Sequence, residues 1–175
     1  MTAQAQTTST EPQIRRAAGG EAGAITEVFL AARREAMSYL PELHTRAQTQ
    51  AYFRDHVLAR STVWVAGAGG ALVGFLALRD RWVEHLYVRP GHYRRGLGSR
   101  LLSLAKQASP EGLRLYAFQR NKRARAFYEA HGFKAIQLTN GFANEEKEPD
   151  VLYEWRPASE PGRLAAPQQG PLAPM

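Results

Sequence analysis

The sequence predicts an α/β domain built on a mixed, largely antiparallel central sheet with helices on both faces. Early apolar and β-branched segments follow one another through glycine-rich turns, which is typical of antiparallel hairpins. Later segments of this kind alternate with helical stripes of leucine and alanine, which is typical of crossover connections. The 175 residues, 44% of them hydrophobic, suit one domain with a sizeable core.

The elements are predicted in the order β-α-α-β-β-β-α-β-α-β-β. The first helix follows from apolar residues at i, i+3, i+4, i+7 and i+11 of segment 25–36. A second helix is predicted to begin at Thr45, because Thr45 and Gln48 can form a capping box, and residues 38–44 form an irregular connection. Later helices are expected from Leu97 to near Pro110 and over 124–131, with strands over 62–66, 71–78, 82–88, 113–118, 133–138 and 151–155.

The two ends of the chain have a different composition from the middle. Residues 157–175 contain five of the ten prolines and almost no bulky apolar groups. Such a segment buries too little surface to offset the entropy of ordering it. We therefore predict disordered tails over 1–12 and 157–175, and one domain over 13–156.

Composition excludes several classes of protein. There is no cysteine, which excludes a disulfide scaffold, a thiolate metal site and a cysteine nucleophile. We expect no metal. No apolar run approaches the roughly 18 residues that a membrane span needs, and the first residues lack a basic and then apolar leader. A cytoplasmic protein without membrane association is the expectation.

The net charge of +7 is concentrated in one part of the chain. Residues 79–134 hold 13 Lys or Arg residues against 4 Asp or Glu residues, whereas the remainder holds 10 against 12. A basic segment on a near-neutral body suggests a polyanionic partner. Composition leaves nucleic acid and a phosphorylated cofactor both open.

The turn after the predicted strand 82–88 is the strongest candidate for an anion site. Gly96 and Gly98 open a helix there, beside Arg94 and Arg95. Helix N-termini expose unpaired amides, and glycine lets the backbone approach an anion closely. The same pair of glycines is also compatible with a simple turn. The full dinucleotide-binding and P-loop patterns are absent.

Two motifs in this order resemble the acetyl-CoA-binding motifs of the GNAT superfamily of N-acetyltransferases. The first is LYVRPGHYRRGLGSRLL, and the second, about thirty residues later, is NKRARAFYEAHGF. The resemblance extends over residues 14–155. It departs from the family at Tyr93, where Gln or Arg is usual. The second motif matches at every fixed position: Asn121, Ala124, Phe127, Tyr128, Gly132 and Phe133.

The resemblance implies a GNAT-like fold, acetyl-CoA as the acetyl donor, and transfer to a primary amine of a small molecule, peptide or protein. It also implies that the strand ending at Val88 splays from its neighbour. The free backbone groups of that strand would hold the pantetheine arm and polarise the thioester carbonyl. The implied cofactor-binding residues are Leu86, Tyr87, Val88, Arg94, Arg95, Gly96, Leu97, Gly98, Ser99 and Asn121.

Two residues are the catalytic candidates. By the same resemblance Tyr128 is the general acid, since a phenol with a pKa near 10 can protonate a departing thiolate with a pKa near 8.5. Glu84 is our candidate base, acting through water, with His85 as an alternative. Strand alternation predicts Glu84 with Leu86 on one face and His85 with Tyr87 and Val83 on the other. An amine that arrives deprotonated would need no base.

The acceptor pocket is expected between the first two helices, their connection and the last hairpin. Tyr39, Leu40 and His44 lie in that connection. Glu145 and Glu146 form either a solvated loop or an acidic rim that attracts a cationic amine.

Two other functions stay open: a non-catalytic acyl-CoA sensor and a basic nucleic-acid-binding module, although no nucleic-acid motif is present. A homodimer is one of the oligomeric states that the sequence leaves open.

Overall fold

The computed structural model describes residues 11–158. The predicted tails, 1–12 and 157–175, lie outside the described residues except for two residues at each end. Disorder in these segments therefore stays a prediction.

The described residues form a seven-stranded sheet in the order β1-β2-β3-β4-β5-β7-β6. Neighbouring strands are antiparallel except β4 and β5, which confirms the predicted mixed, largely antiparallel sheet. The order of elements along the chain is also the predicted one. The strands are β1 Gln13–Arg16, β2 Thr62–Ala68, β3 Ala71–Arg79, β4 Trp82–Val88, β5 Leu113–Phe118, β6 Lys134–Leu138 and β7 Asp150–Trp155.

The helices include two short elements that the sequence did not predict. A single 3-10 turn, Gly19–Glu21, precedes the first helix. The second helix continues through a π-helical turn, Phe53–Val57, which adds a bulge to an otherwise regular segment. The α-helices are α1 Ala22–Ala36, α2 Arg46–Tyr52, α3 Leu58–Arg60, α4 Leu97–Ala108 and α5 Lys122–Ala130.

Helices cover both faces of the sheet, as predicted. On one face, Ile25 of α1 and Phe53 pack against Phe75 of β3 in one buried cluster. On the other face, Leu101 of α4 and Tyr128 of α5 belong to a second, larger cluster. The sheet is therefore the shared wall between two cores, and β4 contributes side chains to both of them.

Strands β4 and β5 are paired only at their beginning, between Trp82 and Arg114. Beyond Trp82 no further β4 residue pairs with β5, so the two strands diverge toward Val88. The resemblance implies this splay. It leaves backbone amides and carbonyls of β4 unpaired on the side that faces β5, where another molecule can bind them.

A β-bulge in β4 overturns the predicted alternation of its side chains. Ala77 pairs with His85 and Leu78 pairs with Val83, which leaves Glu84 as the extra residue. Val83 consequently lies in the same core as Leu86 instead of on the His85 face. Two predictions about this strand are therefore wrong, because one extra residue shifts the period: Val83 does not share a face with His85 and Tyr87, and Glu84 does not share one with Leu86.

Helix α2 has the capping box that the sequence predicts. The Thr45 hydroxyl accepts a hydrogen bond from the Gln48 amide at 3.2 Å, and the Gln48 side chain accepts one from the Thr45 amide at 2.9 Å. Thr45→Ala should destabilise the protein by about 1 kcal/mol, because the Gln48 amide loses the Thr45 hydroxyl as its acceptor. For a domain of this size we expect thermal melting to shift down by about 2–4 °C. Thr45→Ser keeps the cap and should melt close to the parent, and equal losses in both variants would contradict this account.

Candidate functional site

A cavity of about 380 Å³ opens where β4 and β5 diverge, and we call it the first cavity. The turn between β4 and α4 forms one wall. Arg94 and Gly96 adopt left-handed backbone conformations there, with φ of 60° and 73°. Gly96 is the N-cap of α4, and no side chain caps this helix. The amides of its first turn are therefore available to an anion.

Nine of the ten residues predicted from the resemblance to bind cofactor line the first cavity. The tenth, Arg95, is exposed and does not line it. Asn121 also caps α5, since its side chain accepts a hydrogen bond from the Ala124 amide at 3.1 Å. The nine residues are Leu86, Tyr87, Val88, Arg94, Gly96, Leu97, Gly98, Ser99 and Asn121.

Gly98 is needed for helix packing as well as for an open cavity. A Cβ atom at this position would lie 3.3 Å from Cζ of Phe127 on α5, which is closer than side chains normally approach. Its backbone is not left-handed, unlike that of Gly96. A larger residue at 98 would therefore require the Phe127 side chain to shift.

Tyr128 lies on α5 with its ring in the core and lines the first cavity. Its ring packs edge-on against Phe127 and Phe133. Burial, with a smaller contribution from Tyr87, raises the pKa of the Tyr128 phenol above its ordinary value. The hydroxyl is therefore protonated at neutral pH, and it is a weaker acid than a solvated phenol.

A contact that the sequence did not predict joins the turn to α5. The Arg123 guanidinium lies over the Tyr93 ring, 3.5 Å from its centre, and both residues line the first cavity. Burial, with a smaller contribution from Glu35 of α1, raises the pKa of Tyr93 to about 12. The sequence motifs predict no role for Tyr93. The sign of an unusual contact in the sequence is that Tyr93 stands where the family usually has Gln or Arg.

A second cavity, of about 1190 Å³, lies on the α1 side of β4 and β5. Its walls are α1, the connection to α2, α2 itself and the loop that contains Glu145 and Glu146, as the acceptor prediction requires. Leu40 and His44 line it, but Tyr39 does not. Met37 and Tyr87 line both cavities, so the two volumes adjoin at β4.

Glu84 lines the second cavity and not the first. Its carboxylate accepts a hydrogen bond from the Ser61 hydroxyl at 2.7 Å and forms an ion pair with Arg79 at 2.7 Å. The predicted base is thus held at the wall of the cavity by two partners. Its catalytic role stays a prediction.

The two loop carboxylates are also already paired. Glu145 is 2.9 Å from Nε2 of His44, and Glu146 is 3.0 Å from the Arg33 guanidinium. The Arg33–Glu146 pair is largely buried, with side-chain exposures of 20% and 17%. These contacts connect α1 and its following segment to the loop across the mouth of the second cavity. A cationic ligand would have to compete with them.

His85 lies among aromatic rings at the boundary of the second cavity. The rings of Phe29, Tyr52, Phe53 and Phe75 all lie within 6.2 Å of its own. Burial, assisted by the charge of Arg33, lowers the pKa of His85 to about 4. Its imidazole is therefore neutral at pH 7.

Comparisons with known proteins agree with these motifs. A family model described as an acetyltransferase (GNAT) domain matches residues 59–135. Peptidyl-lysine N-acetyltransferase YiaC of Escherichia coli (strain K12) is 32% identical over 103 residues, which are 58% of this chain and 68% of YiaC. This chain belongs to the GNAT superfamily of N-acetyltransferases. Uncharacterized N-acetyltransferase YafP of the same strain is 31% identical over 80 residues, about half of each chain.

Solved structures show the same GNAT fold. Apo-form YjaB from Escherichia coli has a TM-score of 0.69 and 22% identity, over 84% of this chain and 99% of that one. PaiA N-acetyltransferase from Thermoplasma acidophilum, solved in complex with coenzyme A, has a TM-score of 0.63 and 17% identity, over 83% of this chain and 98% of that one.

Within residues 11–158, no helix has the length and apolar character to span a membrane. In that same range, no three His, Asp or Glu side chains come together as a metal site would require.

The low pKa of His85 predicts a specific pH dependence of stability. The folded pKa of about 4 lies below the ordinary value of 6.5, so between these values the unfolded chain binds the extra proton. Stability should therefore fall as the pH falls from about 6.5 to about 4. His85→Gln should melt with a shallower pH dependence across this window, whereas exposed His56→Gln should keep the parental slope. Identical slopes in the parent and in His85→Gln would contradict the low pKa.

Proposed function

We propose that this protein transfers the acetyl group of acetyl-CoA directly to a primary amine of a small molecule, peptide or protein. The observation that carries the proposal is the junction of two cavities at Met37 and Tyr87. One cavity is lined by the motif that resembles an acetyl-CoA site, and the other lies where the acceptor is expected. Direct attack of an amine on a thioester requires that the two substrates meet in this way.

The donor would bind along the first cavity. Amides of the turn from Arg94 to Ser99 would hold the pyrophosphate, and the unpaired backbone of β4 from Leu86 to Val88 would hold the pantetheine arm. The solved relative PaiA was obtained in complex with coenzyme A, and YncA of Salmonella typhimurium with acetyl-CoA as its cofactor. These complexes support the same ligand here.

The chemistry then needs three events. A neutral amine attacks the thioester carbonyl, and the C–N bond forms as the carbonyl oxygen gains charge. A β4 backbone amide would stabilise that oxyanion, a contribution worth about 3–4 kcal/mol in other enzymes. The C–S bond breaks, and Tyr128 would give its proton to the departing thiolate. The extra proton on nitrogen leaves to water.

Glu84 would receive that amine proton through a water molecule, since its carboxylate lines the second cavity. His85 is the weaker candidate, because burial makes its imidazole a poor proton acceptor at neutral pH. An amine that binds in its neutral form would need neither residue.

Two measurements test the proposal on the full chain. Calorimetry with acetyl-CoA tests donor binding, and release of the CoA thiol on addition of primary amines tests transfer. Binding without release for any amine would favour the acyl-CoA sensor. Failure to bind acetyl-CoA, together with salt-sensitive binding of DNA, would favour the nucleic-acid module.

Tyr128→Phe tests the general acid. Removing only the hydroxyl keeps the ring packed, so acetyl-CoA affinity should stay within a few-fold while the chemical step slows by about 10²–10⁴-fold. Pre-steady-state release of CoA is the measurement, because slow product release could mask the change in kcat. Tyr153→Phe removes a hydroxyl outside both cavities and should react at close to the parental rate. A parental chemical step in Tyr128→Phe would exclude Tyr128 as the acid.

Arg123 is a further candidate for the donor side. It lines the first cavity, its guanidinium is held on the Tyr93 ring, and it lies across the cavity from the α4 amides. Tyr93 occupies the position where the family usually has Gln or Arg. We propose that the charge missing at 93 comes from Arg123, which binds a phosphate of acetyl-CoA.

Arg123→Gln should weaken acetyl-CoA binding by about 3- to 10-fold, because a charge-assisted contact to phosphate is lost. Tyr93→Leu should weaken it by a similar factor, and the double variant should lose little more, because the ring acts by holding Arg123. The matched control is Lys122→Gln, which removes the same charge from a residue outside the cavity. Calorimetry with dephospho-CoA shows whether the 3′-phosphate or the pyrophosphate is the partner. Equal losses in Lys122→Gln would contradict a specific contact.

A further inference from the structure

Exposed apolar side chains are concentrated around the second cavity. Six large apolar residues are exposed among residues 11–158. Leu43, Tyr52 and Tyr116 all line the second cavity, and their exposures are 45%, 45% and 54%. The other three are Ile136, Leu138 and Phe142, which lie on β6 and the loop that follows it.

Tyr116 faces this cavity because side chains alternate along β5. On β5, Leu113, Leu115 and Ala117 point into the core under α4, so Tyr116 and Phe118 point to the opposite face. The core under α1 contains no β5 residue, so on this face Tyr116 lines the second cavity instead of a packed core. The Tyr116 ring is stacked at 5.6 Å on Trp82, only 11° from parallel. The Trp82 ring therefore covers one face of the Tyr116 ring and helps to fix its orientation.

Most of the carboxylates that line the second cavity are already paired with other side chains of this protein. Five carboxylates line it; three of them are within 3.0 Å of an arginine, and Glu145 is 2.9 Å from the His44 imidazole, which carries a charge only in its protonated form. Glu42 is the fifth, and it is exposed. A polycationic ligand would have to displace these partners, and each displaced arginine would be left unpaired. The four pairs are Asp55 with Arg54, Glu84 with Arg79, Glu145 with His44 and Glu146 with Arg33.

We infer that the acceptor carries an aromatic or other flat apolar group beside its primary amine, and that this group packs on Tyr116 at the rim of the second cavity. The inference rests on the proposed function and specifies its acceptor. Aromatic rings gain from offset stacking as well as from leaving water, so an exposed ring in a binding cavity favours a flat partner. Polyamines and other polycations are disfavoured, because the cavity offers them few free carboxylates.

A comparison of acceptors tests this on the full chain with saturating acetyl-CoA. Release of the CoA thiol is measured with 2-phenylethylamine, n-butylamine and spermidine. Two lysine peptides that differ only by Phe or Ser beside the lysine show whether the flat group belongs to a free amine or to a peptide. We expect 2-phenylethylamine to have the highest kcat/KM of the free amines, or the Phe peptide to have a higher kcat/KM than the Ser peptide, or both. Among the free amines, spermidine should have the lowest kcat/KM.

The variant Tyr116→Ala identifies the surface responsible. It should lower kcat/KM for the preferred aryl acceptor by about 3- to 10-fold and leave n-butylamine within two-fold. Tyr116→Phe should retain the preference, since the ring is kept. Phe142→Ala, which truncates an exposed ring outside both cavities, should change nothing.

The outcomes separate this inference from the proposed function. A preference for spermidine, or an equal effect of Tyr116→Ala on all acceptors, would overturn the inference and leave acetyl transfer standing. Absence of CoA release with every amine and both peptides would overturn the proposed function, and the inference with it.

Discussion

The rest of the molecule depends on the interrupted pairing between β4 and β5. One pair of residues, Trp82 and Arg114, joins the two halves of the sheet, and beyond it the strands separate. The gap produces the first cavity and leaves β4 backbone groups unpaired beside it. A fully paired sheet would have neither feature, because ladder hydrogen bonds would use the same amides and carbonyls.

The two cavities use different physical means to attract their ligands. The first relies on unpaired backbone amides, a glycine N-cap and basic side chains, all of which favour an anion. In the second, the carboxylates are paired with basic residues, and exposed rings supply much of the free surface. Specificity for an acceptor would therefore come from shape and apolar contact more than from net charge. Of the thirteen basic residues in segment 79–134, Arg94 and Arg123 line the first cavity, where phosphates would be bound.

Local signals in the sequence predicted most of the fold. Strands β4 and β5 begin and end at the predicted residues, and Thr45 caps α2 as its spacing to Gln48 indicates. The bulge at Glu84 could not be predicted, because it depends on how β3 and β4 are paired. The Tyr93–Arg123 stack was missed for a related reason, since it joins residues thirty positions apart through the packing of α5. Ion pairs such as Arg33–Glu146 likewise require knowledge of which loop closes over α1.

The environment of His85 bears on whether the reaction needs a base at all. Aromatic rings around it lower its pKa to about 4, because water that would solvate a charged imidazole is excluded. An ammonium group brought to the same wall would lose solvation in the same way, and its own pKa would fall. The neutral amine that attacks a thioester would then be favoured by the cavity itself. Glu84, already bound by Arg79 and Ser61, would then need only to receive, through water, the proton that the nitrogen loses after its attack, instead of deprotonating a strongly basic ammonium group. Desolvation of the amine near β4 would therefore supply part of the deprotonation that a dedicated base would otherwise carry out.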